Sequence, residues 1–119
     1  MKNFINNKVL LHDGIENNFI HEKNFIECPY CSGQIVFSVY GSQIFNSEDL
    51  EFKALYSKKI RGVKEKIKGS GRYNYDGEAV SFFETECDFE NHKAIVFFTF
   101  SEIQPSRYSS HLIGLFLRD

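Results

Sequence analysis

The chain has no tryptophan, one methionine, two prolines and three cysteines in 119 residues, and each scarcity removes a class of answer. Without Trp, the 13 Phe and 6 Tyr must carry the packing, an aromatic load that suits a β-rich interior with large side chains between strands. Three cysteines are an odd number, so a complete disulfide framework is excluded. Two of them in a Cys-x2-Cys string point instead to metal binding in a reducing compartment. No run approaches the roughly 20 apolar residues of a membrane-spanning helix, and the opening Met-Lys-Asn-Phe-Ile-Asn-Asn-Lys lacks the apolar stretch of a secretory leader. The expectation is a cytoplasmic protein with no membrane partner. Internal repeats, low-complexity tracts, nucleophile motifs and phosphate-cradling glycine loops are missing too. His12-Asp13 and His21-Glu22 adjoin in sequence, which does not bring their side chains together. These absences weigh against an enzyme.

What is present centres on two short clusters, Cys28-Pro29-Tyr30-Cys31-Ser32-Gly33 and Cys87-Asp88-Phe89-Glu90-Asn91-His92. Zn²⁺ prefers four tetrahedral Cys or His ligands. One Cys-x2-Cys turn supplies two, so a second cluster must complete the set, and Cys87 with His92 is the pair available. Cys28-Pro29-x-Cys31-x-Gly33 leading into a strand resembles the knuckle of zinc ribbons, with Gly33 expected to take the positive φ that turns backbone amides toward the thiolates. Zinc ribbons usually repeat Cys-x2-Cys where this chain has Cys-x4-His. The resemblance covers residues 28–37 and 83–98, and implies a structural metal and two β-hairpins but no activity. Should His92 not be the fourth ligand, His12, His21 or His111 could replace it, with His111 last because it begins an apolar segment.

The same Cys-Pro-Tyr-Cys string also occurs in the active site of glutaredoxins, a disfavoured alternative. There the second cysteine runs into a helix whose N-terminus lowers the thiol pKa. Here Gly33 and the alternating Ile35, Phe37 and Val39 read as a strand. A glutaredoxin also carries a later Val-Pro turn, and neither Pro29 nor Pro105 follows a valine.

At this length, with 42% hydrophobic residues, the chain reads as one domain, 1–119, that benefits from a metal staple. Its predicted class is α+β: zinc-ribbon-like antiparallel hairpins at about 25–40 and 80–101, separated by a basic helical insertion at about 47–72. Asn46-Ser47-Glu48-Asp49 reads as a helix cap. Leu50, Phe52, Leu55, Tyr56, Ile60, Val63 and Ile67 recur near the helical period, with Gly62 dividing the helix in two. Residues 1–24 read as brief strands with turns at Asp13-Gly14 and Asn17-Asn18, while Gly69-Ser70-Gly71 and Asp76-Gly77 mark loops. Residues 107–118 fit two patterns. Leu112, Leu115 and Phe116 would share a helical face, whereas Ile113, Leu115 and Leu117 would line one side of a strand.

Charge is unevenly spread. Residues 53–72 hold eight basic side chains against Glu65 alone, an excess of seven positive charges on a chain whose net charge is −2. Such polarity presents either the solvated face of a helix or a surface for an acidic partner. Lys58, Lys59, Arg61, Lys64, Lys66, Lys68 and Arg72 form that candidate surface, with Tyr73 and Tyr75 placed to stack on exposed bases if the partner is nucleic acid. The expected function is a small, non-enzymatic, zinc-stabilised macromolecule-binding protein. Its expected partner is another protein, in the manner of a bacterial or phage accessory, inhibitor or toxin-immunity protein. A nucleic-acid-binding zinc-ribbon protein using residues 53–72 is the alternative.

Overall fold

A computed structural model describes residues 3–15, 23–45, 50–65, 67–70, 72–105 and 107–118. Among these residues, nine strands and one helix run in the order β1 (Val9–Gly14), β2 (Asn24–Glu27), β3 (Gln34–Phe37), β4 (Gln43–Ile44), α1 (Leu50–Ser57), β5 (Val63–Glu65), β6 (Tyr73–Tyr75), β7 (Glu78–Glu86), β8 (Lys93–Gln104) and β9 (Arg107–Arg118). Seven strands form one antiparallel sheet in the order β1-β9-β8-β7-β6-β5, with β4 beside β7, and β2 and β3 form a separate hairpin.

The frame is the β7-β8-β9 meander. Its register runs from Val80 opposite Thr99 to Glu86 opposite Lys93, and from Lys93 opposite Arg118 to Gln104 opposite Arg107. Alternate side chains of a strand point to opposite faces, and here both faces are covered. On one, Ala94, Val96, Phe98, Leu112, Leu115 and Leu117 pack with Ile35 and Phe37 of β3, flanked by Phe4, Ile5 and Leu11. On the other, Val80, Phe82, Phe97, Ile113 and Phe116 pack with Phe45, Tyr56, Ile60 and Val63. A bulge at Ile113, between the pairs Phe97–Gly114 and Phe98–Leu112, shifts the alternation by one residue. It therefore returns Leu112 to the face of Leu115 and Leu117.

The α+β expectation is overturned. Of the insertion at 47–72, only the eight-residue α1 is helical among the described residues. The chain leaves the helix after Ser57, reaches Gly62 at a φ of 94°, and then enters β5 rather than a second helix. Ile60 and Val63, read as helical positions, reach the core from a turn and a strand. Asp13 and Gly14 lie within β1, not in a turn, whereas Asp76 and Gly77 (φ 48° and 81°) form the two-residue turn joining β6 to β7, with the double positive φ such hairpins favour. The cap at 46–49 and the turn at 17–18 lie outside the described residues. Among the described residues, no helix is long and apolar enough to cross a membrane.

Candidate metal centre

The first knuckle is a tight turn between β2 and β3. Cys28 closes it twice, accepting at its carbonyl from Ser32 N (2.9 Å) and donating its own N–H to Gly33 O (2.7 Å). The left-handed residue of this turn is Ser32, at a φ of 62°, not Gly33 as expected from the sequence. Gly33 is required for a different reason. A Cβ there would lie 2.7 Å from Phe89 Cβ and 3.0 Å from Asp88 Oδ1, so its bare Cα lets the two knuckles touch.

The second knuckle follows β7. Cys87 bridges to Ile35, Asp88 N donates to Gln34 O (2.9 Å), and Gln34 N donates to Asp88 Oδ1 (2.7 Å). These bonds fasten the β2–β3 hairpin to the end of the main sheet. The turn then folds back, with Asn91 at a φ of 56° and Cys87 N donating to His92 O (3.0 Å).

The result brings Cys28, Cys31, Cys87 and His92 together, with one ligand atom of each inside a sphere of mutual separations no greater than 4.8 Å. Cys31 Sγ and Cys87 Sγ are 3.5 Å apart. His92 Nδ1 stands 3.7 Å from Cys28 Sγ and 3.5 Å from Cys87 Sγ. A tetrahedral ion with metal–sulfur bonds of about 2.3 Å and metal–nitrogen bonds of about 2.0 Å has edges of about 3.8 Å between sulfurs and about 3.5 Å between sulfur and nitrogen. The cluster can therefore hold a metal ion with little adjustment, and Nδ1 is the imidazole atom that faces it. Cys28 and Cys87 are buried, and the Tyr30 ring lies 5.2 Å from that of His92 and 5.5 Å from Phe4, so the N-terminal segment covers this side.

The thiols differ in acidity. Enclosure raises Cys31, aided by the neighbouring Cys87 and Cys28 sulfurs, against N–H donors at Gly33 and Glu90. Enclosure also pushes Cys87 upward, but the backbone N–H groups of His92 (3.2 Å) and Glu90, with Cys31 and His92, outweigh it and lower this thiol to about 6. At neutral pH Cys87 is a thiolate ready to bind a cation, while Cys31 retains a proton that the ion must displace. Affinity for the ion should therefore fall at least about tenfold per pH unit from pH 8 to 7, and more steeply below about 6 as Cys87 also protonates. Competition titration against a chelator of known affinity checks this, and a flat profile between pH 8 and 6 contradicts it.

The alternative histidines are elsewhere. His12 is in β1 and His111 in β9, opposite Leu10 and Thr99, and His21 lies outside the described residues. After Cys31 the chain enters β3 at Gln34, with no helix at the thiols. Lys58, Lys59, Arg61, Lys64, Lys68 and Arg72 are exposed, while Lys66 lies outside the described residues and Lys53 is buried. Tyr73 and Tyr75 are half-buried against the second core cluster, Tyr73 with its ring 5.7 Å from Phe45. Sequence reasoning missed Asp88, the side chain that joins the knuckles. The available signal was an acceptor directly after a ligand, in a turn where a backbone N–H needs a partner. Compared with protein-family models, curated proteins and solved structures, the chain matches none.

Proposed function

We propose that the protein is a non-enzymatic binding module whose β scaffold is held by one structural Zn²⁺ in a zinc-ribbon-like site, and whose partner is another protein with an acidic surface. The carrying observation is that four protein ligands converge on one point, with two of the cysteines buried. Such a set leaves no position for substrate or activated water, so the metal serves structure. Three thiolates and one imidazole also form a soft donor set that suits Zn²⁺. Cys87 and His92 alone have the spacing of a nucleophile and its base, but a cysteine that is 1% exposed offers no approach to a substrate. Binding is then assigned to the exposed basic side chains from Lys58 to Arg72, in the manner of an inhibitor or immunity-type accessory.

A second reading, binding of nucleic acid, is supported by the same concentration of exposed cations. Replacing Lys58, Lys59, Arg61 and Lys64 together by Glu should keep zinc content and stability nearly unchanged, since exposed substitutions usually alter stability by less than about 0.5 kcal/mol each. The affinity of the complex isolated from the native cell should fall, and the deficit should shrink with added salt as screening shortens to about 8 Å at physiological ionic strength. A one-to-one protein complex that survives moderate salt supports the first reading. Affinity for DNA or RNA that falls linearly in log K against log salt supports the second. A folded quadruple variant that binds its partner normally removes this surface from both.

A further inference from the structure

A cavity of about 330 Å³ opens between the N-terminal segment and the turn ahead of β5, away from the metal ligands. Lys8 and Arg61 line it together with Asn6, Asn7, Tyr75 and the buried Ile113. Its chemistry differs from that of the larger cavity of about 490 Å³ beside α1, which is lined by Glu84 and Glu86 as well as Lys93. The smaller one contains no acidic side chain among its described lining residues. Neither Lys8 nor Arg61 is paired with a carboxylate among the described residues. Two cations thus face one concavity without an internal counter-charge, so an anion entering it gains attraction without breaking an ion pair.

The remaining lining narrows the class of anion. An inorganic ion would use the cations and leave the half-buried Tyr75 without a ligand contact. Gly62 also lies hard against that ring, where a Cβ would come within 2.6 Å of Cε2, so the loop carrying Arg61 and the aromatic wall are held as one surface. We infer that this cavity is a binding site for a nucleoside phosphate, free or as the terminal unit of a single strand. Arg61 and Lys8 hold the phosphate, Tyr75 stacks on the base, and the Asn6 and Asn7 carboxamides reach sugar or base edges. Guanidinium matches phosphate through paired N–H donors, and aromatic rings accept any base on their π-faces. The volume lies at the small end of ligand sites and suits one nucleotide. This site does not depend on the protein-partner reading, whose test is a complex at moderate salt.

The test is titration of the zinc-loaded, ¹⁵N-labelled protein with a nucleoside monophosphate, the corresponding nucleoside, inorganic phosphate and a 5′-phosphorylated oligonucleotide. Shift changes should concentrate at Lys8, Arg61 and Tyr75 and spare Glu84 and Glu86. The monophosphate should bind at least about tenfold more tightly than either nucleoside or phosphate, and Arg61→Ala or Lys8→Ala should each lose about tenfold. Both replaced residues are exposed, and retained zinc content confirms that the variants fold. Tighter binding of the oligonucleotide than of the monophosphate identifies a strand end as the source, and equal or weaker binding identifies the free nucleotide. Phosphate binding as well as the monophosphate, or no response at these residues at millimolar ligand, overturns the inference.

Discussion

Removing the metal at neutral pH is expected to lower the melting temperature by more than about 15 °C, because loss of only about 4 kcal/mol moves a domain of this size by roughly 4 °C per kcal/mol. The site is where the structure most needs a fastener. The β2–β3 hairpin is not a member of the main sheet, and among the described residues it is tied to it by the Ile35–Cys87 bridge, the backbone bond from Asp88 N to Gln34 O and the bond from Gln34 N to the Asp88 carboxylate. Yet it covers one face of the core through Ile35 and Phe37, both buried. Releasing the hairpin therefore exposes Phe98, Val96 and Leu115 as well. Cys31→Ser should reproduce the effect. As a simple packing change at a half-buried thiol it would cost little, so a large loss separates coordination from packing. Hydrogen exchange should quicken first at the Ile35, Val36 and Phe37 amides, while the β8–β9 ladder around Val96 stays protected longest. An unchanged melting temperature in excess chelator contradicts this.

Phe97→Ala, in the zinc-loaded protein, is expected to cost about 3 to 5 kcal/mol. Phe97 is fully buried on the face opposite the cluster containing Cys28 and Cys87. Its ring meets those of Phe45 and Tyr56 at 5.4 Å, Phe116 at 5.6 Å and Phe82 at 6.0 Å. Truncation leaves a void that four rings, on β7, β9, α1 and the residue just after β4, cannot close together. Ile67→Ala, at a side chain 66% exposed, should stay within about 0.5 kcal/mol. Urea midpoints at equal metal loading measure both, and comparable shifts for the two variants would place the core wrongly.

The clustering of Cys28, Cys31, Cys87 and His92 was legible because coordination demands particular side chains at short spacings, and such a pattern survives whatever fold carries it. Their neighbours were less so. Gly33 was read as a φ-positive residue from its type, but a glycine signals either conformational freedom or close approach, and only the position of Phe89 tells which. Residues 107–118 defeated periodicity for two reasons. Leu112, Ile113, Leu115, Phe116 and Leu117 are all buried because both faces of β9 are covered, which erases alternation. The bulge at Ile113 then spaces Leu112, Leu115 and Leu117 on one face by three and two residues. The helical reading of 47–72 failed where tertiary packing overrode local pattern, since apolar residues spaced by three or four also fit a short helix, a turn and a strand that each send one side chain inward.

The most direct measurement is native mass spectrometry of the purified chain, with X-ray absorption at the edge of whatever metal it carries. One zinc per chain, bound by three sulfurs and one nitrogen, is the expected result. A metal-free chain that is fully folded, or an ion whose ligands are not Cys28, Cys31, Cys87 and His92, would contradict it.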